Sequence, residues 1–356
     1  MPELIERLTE DAIELLQELI QTPSLSREED QTAELIFRFL TFHGAHPRRD
    51  KNNVWAVSKH FDAAKPTILL NSHHDTVKAG TTWTYDPLGA VVEGDKLIGL
   101  GSNDAGASAV SLLATFLYFH ERTDLAYNLI CAITAEEEVS GVNGIRSVLP
   151  LLGHIDLGIV GEPTQMDLAV AEKGLVVLDC VAHGRTGHAA REEGENALYK
   201  AVADIRWFEQ FRFPEVSPLL GPVKMTVTQI QAGTQHNVVP DRCTFVVDVR
   251  TNECYSNPEV VELVRQHVTA EVTPRSTHLN SSRIDVGHPL VQRGIGLGRR
   301  TFGSVTLSDQ SMMPFTTVKI GPGDSARSHT PDEYILLSEI RAGVRGYIEL
   351  LDGLEL

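Results

Sequence analysis

The 356-residue chain is predicted to form an α/β fold, a sheet with helices on both faces, into which a smaller α+β unit is inserted. Strands and helices alternate up to about residue 172, and runs such as PTILLNSH and YNLICAITA are apolar throughout, as in strands covered on both faces. Beyond that point, GLVVLDCVAHG and CTFVVDVRT alternate apolar with polar residues, which is typical of antiparallel strands with one exposed face. We therefore predict one domain made of residues 1–172 and 281–356, and an insert at 173–280.

The individual elements follow from the spacing of apolar residues. Residues 3–20 and 29–43 repeat apolar positions at helical spacing, and QTPSLSREED ends the first helix and caps the second. The rest of the first part is predicted as strands NVWAVS and PTILLNSH, a small-residue helix at 104–122, strand YNLICAITA, helix SGVNGIRSVLPLL and strand LGIVGEPT. Helices near 195–211 and 257–270 accompany the strands of the insert, and the chain ends in the helix LSEIRAGVRGYIELLDGL.

Composition argues against several classes of function. The formal net charge is -17 at pH 7, so the chain lacks the basic surface that neutralises a nucleic-acid backbone. The cysteines are widely spaced without a CxxC pair, which indicates free thiols in a reducing compartment. The acidic N-terminus does not read as a signal peptide, and no apolar run reaches the roughly 20 residues that span a bilayer. We expect a cytoplasmic protein that binds neither nucleic acid nor membranes.

The stretch NSHHDTV, residues 71–77, is the first candidate for chemistry. In a strand, His73 and Asp75 share one face and His74 lies on the other. A metal-bound imidazole usually donates its second N–H to a carboxylate or a carbonyl. His73 as a ligand with Asp75 as its orienting partner fits that arrangement, although an HxD pattern alone more often has a capping or surface role.

Acidic residues follow two other predicted elements. Asp104 lies in the glycine-rich turn GLGSNDAGA, where a carboxylate would repel a pyrophosphate, so the turn fits a metal ligand or a helix N-cap better than a nucleotide site. Residues 136–138 are three consecutive glutamates after an apolar strand. Their mutual repulsion would be relieved by a divalent cation, which favours a metal site over a solvated charge run.

Glu162, in GIVGEPT, and His329, in GPGDSARSHTPDEY, complete the candidate set. The sequence places His329 on a loop before a helix that begins with Pro331. In open α/β sheets, sites gather outside the carboxyl ends of the strands, where all these candidates are predicted. Two histidines with three carboxylates, one of them bridging, suit a pair of zinc-like ions about 3.5–4 Å apart.

These motifs, taken in order, resemble the M20 family of dinuclear zinc peptidases and deacylases, over essentially the whole chain. IVGEPT and GPGDSARSHTPDEY are most similar to the N-acetylornithine deacetylase and N-acetyl-lysine deacetylase branch. The resemblance implies a zinc-exopeptidase-like catalytic domain with a mixed sheet, and an insert that serves as a lid or dimerisation domain. The chain departs from many relatives in having Ala105, Gly106 and Ala107 after the acidic residue of the turn.

The resemblance also implies roles for the candidate residues. One metal ion would be held by His73 and Glu162 and the other by Glu138 and His329, with Asp104 bridging them. Glu137 would be the general base. Zinc is the expected metal, with cobalt as an alternative.

Within the insert, the resemblance assigns His188 to the scissile carbonyl, reaching the partner protomer's site in a homodimer. Asn237 and Arg250 align with substrate contacts, and a guanidinium matches an α-carboxylate well. A surface salt bridge for Arg250 and an ordinary polar contact for Asn237 are the structural alternatives.

The expected reaction is hydrolysis of the N-acyl amide of a small N-acyl amino acid. N-acetylornithine, an intermediate of arginine biosynthesis, is the first choice; the branch resemblance motivates it, and acidic residues such as Asp309 and Asp324 add weak support. N-acetylcitrulline, N-acetyl-lysine and N-succinyl analogues stay open, with Arg191, Arg283 or Arg327 available for a succinyl carboxylate. A dipeptidase is a further alternative, and a catalytically inactive, metal-dependent binding protein is a more distant one.

Overall fold

The computed structural model describes residues 2–356, which form two compact units. The first unit comprises the chain up to Val170 together with Ile284–Phe302 and Ser308–Leu356. The second comprises Ala171–Arg283 and Gly303–Leu307. The predicted insert lies inside the second unit, to which the short segment after Phe302 also belongs. Its role as a lid or dimerisation domain stays a prediction.

The elements are numbered in chain order. Among residues 2–356, the α-helices are α1 (Pro2–Gln21), α2 (Asp30–Phe42), α3 (Ala107–Phe119), α4 (Ile145–Leu152), α5 (Ala197–Gln210), α6 (Asn257–His267), α7 (Pro289–Gly296) and α8 (Leu337–Leu351). The strands are β1 (Arg48–Asp50), β2 (Asn53–Val57), β3 (Thr67–His73), β4 (Val91–Glu93), β5 (Lys96–Ile98), β6 (Asn128–Thr134), β7 (Leu157–Val160), β8 (Leu168–Glu172), β9 (Gly174–His183), β10 (Lys224–Ala232), β11 (Arg242–Thr251), β12 (Glu271–Pro274), β13 (Ser282–Arg283), β14 (Thr301–Ser304), β15 (Thr317–Lys319) and β16 (Tyr334–Leu336). None of these helices has the length and apolar character needed to cross a bilayer.

The main sheet is mixed and confirms the predicted α/β class. Its strand order is β1-β2-β6-β3-β7-β15-β8-β13, and β14 also pairs with β8. β3 runs parallel to β6 and β7, and β15 runs parallel to β7, whereas β2 and β8 are antiparallel to their neighbours β6 and β15. A separate three-stranded sheet has the order β16-β5-β4.

The apolar runs explain why β3 and β6 lie inside the sheet. Every residue of both strands is buried. On one face they contact α3, whose alanines and serines allow close approach and which is itself almost entirely buried. α1 packs against α3 through a stripe at helical spacing that includes Ala12, Leu16 and Leu19. Each such leucine contributes about 1.5–3 kcal/mol by burial, so this layer stabilises the strands that carry the site.

The second unit contains an antiparallel sheet of order β10-β11-β9-β12. Buried and partly exposed residues alternate along β9 and β11, as the period of two predicts. Their inward side chains form one core with residues of α5 and α6, including Phe208, Phe245 and Val260. β10 is an edge strand, and most of its residues are exposed.

The segment after His329 differs from the prediction. No helix begins at Pro331; a turn leads into β16, and α8 starts only at Leu337. The backbone of His329 and of Asp332 is left-handed, with φ of 58° and 56°, which a right-handed helix does not tolerate. The predicted helix at 104–122 likewise begins later, at Ala107, after an irregular turn at Ser102–Gly106.

Candidate metal centre

Four parallel strands bring the candidate residues to one edge of the main sheet. His73 is the last residue of β3, and the glutamates at 136–138 follow β6 directly. Glu162 follows β7 by two residues, and His329 lies on the loop that follows β15. Because the carboxyl ends of parallel strands meet at one edge, residues far apart in sequence are brought together there.

Asp104 lies between the two histidines. Its Oδ1 is 3.4 Å from His73 Nε2, and its Oδ2 is 3.5 Å from His329 Nε2. The turn at Ser102–Gly106 places it there, because Asp104 leaves helical geometry with φ of -116° and ψ of 99°. One carboxylate therefore faces two imidazoles with different oxygens, which is the arrangement that a bridging ligand needs.

The other acids divide between the two histidines. Glu162 Oε1 lies 3.7 Å and Glu137 Oε2 3.9 Å from His73 Nε2, whereas Glu138 Oε2 lies 3.0 Å from His329 Nε2. The ligand atoms of His73, Asp104 and Glu138 are all within 4.8 Å of one another, and so are those of His73, Glu137 and Glu162.

The donor set fits a pair of divalent cations. His73 is buried, and its Nε2 has no hydrogen-bond partner of acceptable geometry among the described residues although it points at carboxylates. Four carboxylates surround two imidazoles, so even two imidazolium rings would leave an excess of negative charge. Imidazole nitrogens and carboxylate oxygens are ordinary zinc ligands, and two dications would offset the excess negative charge.

The ionisable groups are strongly perturbed. Burial by itself would lower the pKa of His73, but the neighbouring carboxylates of Asp104 and Asp75 outweigh it and raise that pKa well above its usual value. The hydrogen bond that His329 donates to the Glu138 carboxylate raises the pKa of His329 to about 9. Burial, together with neighbouring carboxylates, raises the pKa of Glu137 well above its usual range. The centre therefore retains protons that a bound cation would displace.

Asp75 organises this edge of the sheet. Its carboxylate accepts the backbone N–H groups of Glu137 (3.0 Å) and Glu138 (3.2 Å) and the hydroxyl of Ser26 (2.7 Å). His73 Nδ1 lies 3.0 Å from the Asp75 backbone carbonyl and 3.4 Å from its carboxylate. The expected contact with His73 is thus made more closely by the carbonyl, while the carboxylate fixes the turn that carries Glu137 and Glu138.

His74, the residue after β3, has an environment separate from that of His73. Its Nε2 lies 2.8 Å from the carbonyl of Asn52, and its Nδ1 lies 2.8 Å from the hydroxyl of Thr32. A carbonyl only accepts hydrogen bonds, so Nε2 carries the proton and Nδ1 accepts from Thr32. Burial lowers the pKa of His74 to about 4, so the ring is a neutral packing residue.

Glu136 supports the acidic turn without facing the histidines. Its carboxylate accepts the side-chain N–H of Asn143 at 2.8 Å, and its own backbone N–H donates to Glu29 at 3.2 Å. Its φ of 57° reverses the chain after β6. The side chain is therefore bound by Asn143 and does not take part in the cluster around the histidines.

Two further acids lie beside the centre. Buried Glu333 accepts the backbone N–H groups of Gly101, Asn103 and Asp104, and burial raises its pKa to about 7. The only signal in the sequence was an acid four residues after His329. Asp309 accepts the hydroxyl of Thr134 at 2.7 Å, and burial raises its pKa to about 7.

The candidates of the insert all belong to the second unit. His188 and Asn237 lie on adjacent segments, since the backbone N–H of Ala189 donates to the carbonyl of Asn237 at 3.0 Å. Arg250 lies near the other end of β11, eight residues beyond Arg242, which is roughly 27 Å along an antiparallel strand. Its guanidinium pairs with Asp248 at 2.9 Å.

The fold and the cluster of carboxylates and imidazoles define a class, the metal-dependent hydrolases with a site at the strand ends of an α/β sheet. Residues 69–353 match the family model of peptidase family M20/M25/M40, so the chain belongs to that family.

Among sequence relatives, succinyl-diaminopimelate desuccinylase 2 of Ruegeria sp. (strain TM1040) is 27% identical over 277 residues, covering 73% of this chain and 70% of that protein. Succinyl-diaminopimelate desuccinylase of Halorhodospira halophila (strain DSM 244 / SL1) is 25% identical and covers 96% of this chain and 98% of its own.

Solved structures share the fold. The aminopeptidase PepT of Bacillus cereus ATCC 10987 superposes with a TM-score of 0.76 at 17% identity, covering 97% of this chain and 98% of that one. The YXEP protein of Bacillus subtilis, a dinuclear metal-binding peptidase of family M20, gives a TM-score of 0.74 at 17% identity, with coverage of 97% and 98%.

Proposed function

We propose that this chain hydrolyses the N-acyl amide bond of a small N-acyl amino acid with two bound divalent metal ions, zinc being the expected metal. The observation that carries the proposal is the position of Asp104, whose two oxygens face His73 and His329. In this proposal one ion takes His73 and Glu162, the other takes Glu138 and His329, and Asp104 is shared.

When bound, such a metal pair supplies Lewis acidity and a water of lowered pKa. The chain's own contribution is to hold and move the proton. Glu137 Oε2 lies 3.9 Å from His73 Nε2, and Glu137 is not one of the proposed ligands, so its carboxylate suits a group that takes a proton from the attacking water and gives it to the departing nitrogen. Asp75 fixes the backbone of Glu137 and so fixes the direction of that transfer.

Replacing Glu137 with Gln tests the assignment. The variant keeps the size of the side chain and every proposed ligand, so metal content should match wild type while kcat falls by roughly 10²–10⁴. Metal analysis and amine release on the same sample measure both. Turnover within tenfold of wild type would remove Glu137 as the base.

The acyl group and the amino acid define the finer proposal. The branch resemblance favours N-acetylornithine, but the acidic residues first associated with it carry little weight. Asp309 is buried and bonded to Thr134, and Asp324 accepts from Gln165 at 2.9 Å. Neither carboxylate is available for an ornithine ammonium group without rearrangement.

An N-succinyl amino acid is the second candidate, because several relatives are named succinyl-diaminopimelate desuccinylases. A succinyl carboxylate needs a cation. Arg327 is engaged by both oxygens of Glu339, at 2.6 and 3.0 Å. The side chain of Arg191 is 70% exposed, and its ion pair with Glu193 is long, at 4.0 Å. Arg191 is therefore less tightly engaged than Arg327.

A kinetic comparison separates these substrates. Acetyl and succinyl forms of ornithine, citrulline, lysine and diaminopimelate, with a dipeptide panel, would be compared by kcat/KM. A preference for succinyl forms that is lost in Arg191→Gln but kept in Arg327→Gln would assign the second candidate. A chain that binds two metal ions but hydrolyses none of these substrates would support the inactive, metal-dependent binding alternative.

The proposal includes a homodimer in which His188 acts on the partner protomer's substrate. β10 leaves an unpaired strand edge, and apolar side chains are exposed beside it: Ile230 is 50% exposed, and Tyr199 on the adjacent α5 is 74% exposed. Natural monomers protect such an edge, so pairing with a second copy is a consistent use of it. Asn237 would accompany His188, whereas Arg250 lies at the other end of β11.

Mixing two inactive variants tests the dimer. In a mixed dimer of His188→Ala and Glu137→Gln chains, one site receives both intact residues. Random exchange should therefore restore about a quarter of wild-type activity. Subunit exchange demonstrated without any return of activity would refute the action in trans, and Ile230→Lys should weaken self-association measured by sedimentation.

A further inference from the structure

Glu333 joins two segments that the proposed metal centre uses. Its Oε1 accepts the backbone N–H groups of Asn103 and Asp104, both at 2.9 Å, and its Oε2 accepts that of Gly101 at 3.2 Å. Its own backbone carbonyl accepts the N–H of Gly99 at 2.9 Å. Only 2% of the residue is exposed. Glu333 thus binds the whole turn that carries Asp104.

Asn103 makes a second connection between the same segments. Its side-chain N–H donates to the Asp324 carbonyl at 3.1 Å, and its Oδ1 accepts the Asp324 N–H at 3.0 Å. The side chain also donates to Ser328 at 3.3 Å. The turn at 101–104 and the loop that carries His329 are therefore connected to each other through both Glu333 and Asn103.

We propose that Glu333 is a positioning residue for Asp104, holding its backbone so that its two carboxylate oxygens face His73 and His329. This inference rests on the proposed function, because it assigns to Glu333 the support of the shared ligand. It does not place Glu333 in contact with substrate or with the ions.

The geometry explains why a glutamate is needed there. Three N–H groups converge on this side chain, so both of its terminal atoms must accept hydrogen bonds. A carboxylate meets that requirement because both of its oxygens are acceptors. An amide would place its own N–H₂ against one of those donors, and a buried N–H left without a partner is costly. A rotation of the turn would move the Asp104 oxygens away from their positions facing His73 and His329. Both ions would then be bound more weakly.

Glu333→Gln is the main test, made on the full chain after metal removal. Zinc titration against a chromophoric chelator should show an affinity at least tenfold weaker than that of wild type, since loss of supporting hydrogen bonds typically costs about 10–100-fold in metal affinity. The value of kcat should fall while KM stays within about twofold, because Glu333 does not touch substrate. Glu333→Asp keeps the charge but shortens the reach, and it should give a smaller loss.

Asp332→Asn is the matched control. Asp332 is the preceding residue and accepts the backbone N–H groups of Thr84 and Tyr85, at 2.8 and 3.1 Å, in a loop without a proposed ligand. It should leave zinc affinity unchanged. Thermal unfolding of each metal-free variant checks folding, and Glu333→Asp answers the question if Glu333→Gln does not fold.

The outcomes distinguish the two proposals. Equal zinc affinity in wild type and both folded Glu333 variants would overturn the role of Glu333 alone. A loss of the same size in Asp332→Asn would also overturn it, because the effect would then be general to the segment. A wild-type chain that binds fewer than two ions would overturn the proposed function itself.

Discussion

The environment of His74 leads to a quantitative prediction about stability and pH. The ring is buried, donates to Asn52 and accepts from Thr32, and its pKa is lowered from 6.5 to about 4. The unfolded chain takes up a proton at His74 below pH 6.5, whereas the folded chain resists it down to about pH 4. Stability from this residue is therefore complete above pH 6.5 and is lost as the pH falls toward 4.

His74→Gln removes this titration. At pH 7 the variant loses hydrogen bonds to Thr32 and Asn52 and should be less stable than wild type by about 1–3 kcal/mol. Between pH 7 and pH 5, wild type should lose about 2 kcal/mol through His74, at about 1.4 kcal/mol for each pH unit below 6.5. The difference between the two proteins should therefore shrink to near zero at pH 5.

Urea unfolding of the metal-free proteins at several pH values measures this difference in the free energy of unfolding. Thr32→Val is the control, since it removes the hydroxyl that donates to Nδ1 but keeps the imidazole. It should cost about 1 kcal/mol and retain most of the wild-type pH dependence. A constant difference between His74→Gln and wild type from pH 7 to pH 5 would refute the reasoning.

Three other changes have defined outcomes. Asp309→Asn should remove a pH dependence of opposite sign. The pKa of Asp309 is raised from 3.8 to about 7, so in the metal-free wild type its contribution to stability is full below pH 3.8 and is lost, by up to about 4 kcal/mol, as the pH rises to 7. A variant whose stability, measured by urea unfolding, changes with pH as in wild type would contradict this. Asp75→Asn places an amide against the N–H groups of the acidic turn, so zinc affinity should fall tenfold or more in a chelator competition, and wild-type affinity would exclude that role. Gly141→Ala puts a Cβ against the side chain of Glu136 and should destabilise the protein by about 1–3 kcal/mol, which an unchanged unfolding midpoint would disprove.

The strands and the positions of the candidate residues were predictable because they depend on local pattern. The apolar runs of β3 and β6 identified buried strands, and the rule that sites follow strand ends then placed His73 and the glutamates after β6 at one edge. The period of two also separated His74 from His73, and the structure places their hydrogen bonds on different partners.

The features that were missed depend on contacts between distant segments. The turn after His329 was predicted as a helix because Pro331 is a good first helical residue, but the left-handed backbone at Asp332 and the bonds from Glu333 to the 101–104 turn decide its shape. No local pattern reveals that Glu333 binds residues about 230 positions earlier.

The strand order has a consequence for how the chain matures. β15, from the last 40 residues, lies between β7 and β8, which are made about 150 residues earlier. A growing chain therefore holds an open gap in its main sheet while the second unit, contiguous apart from a five-residue segment, is already synthesised. If the chain binds the proposed pair of metal ions, their uptake should then be a late event, because His329 follows β15 and a chain released before β15 lacks it.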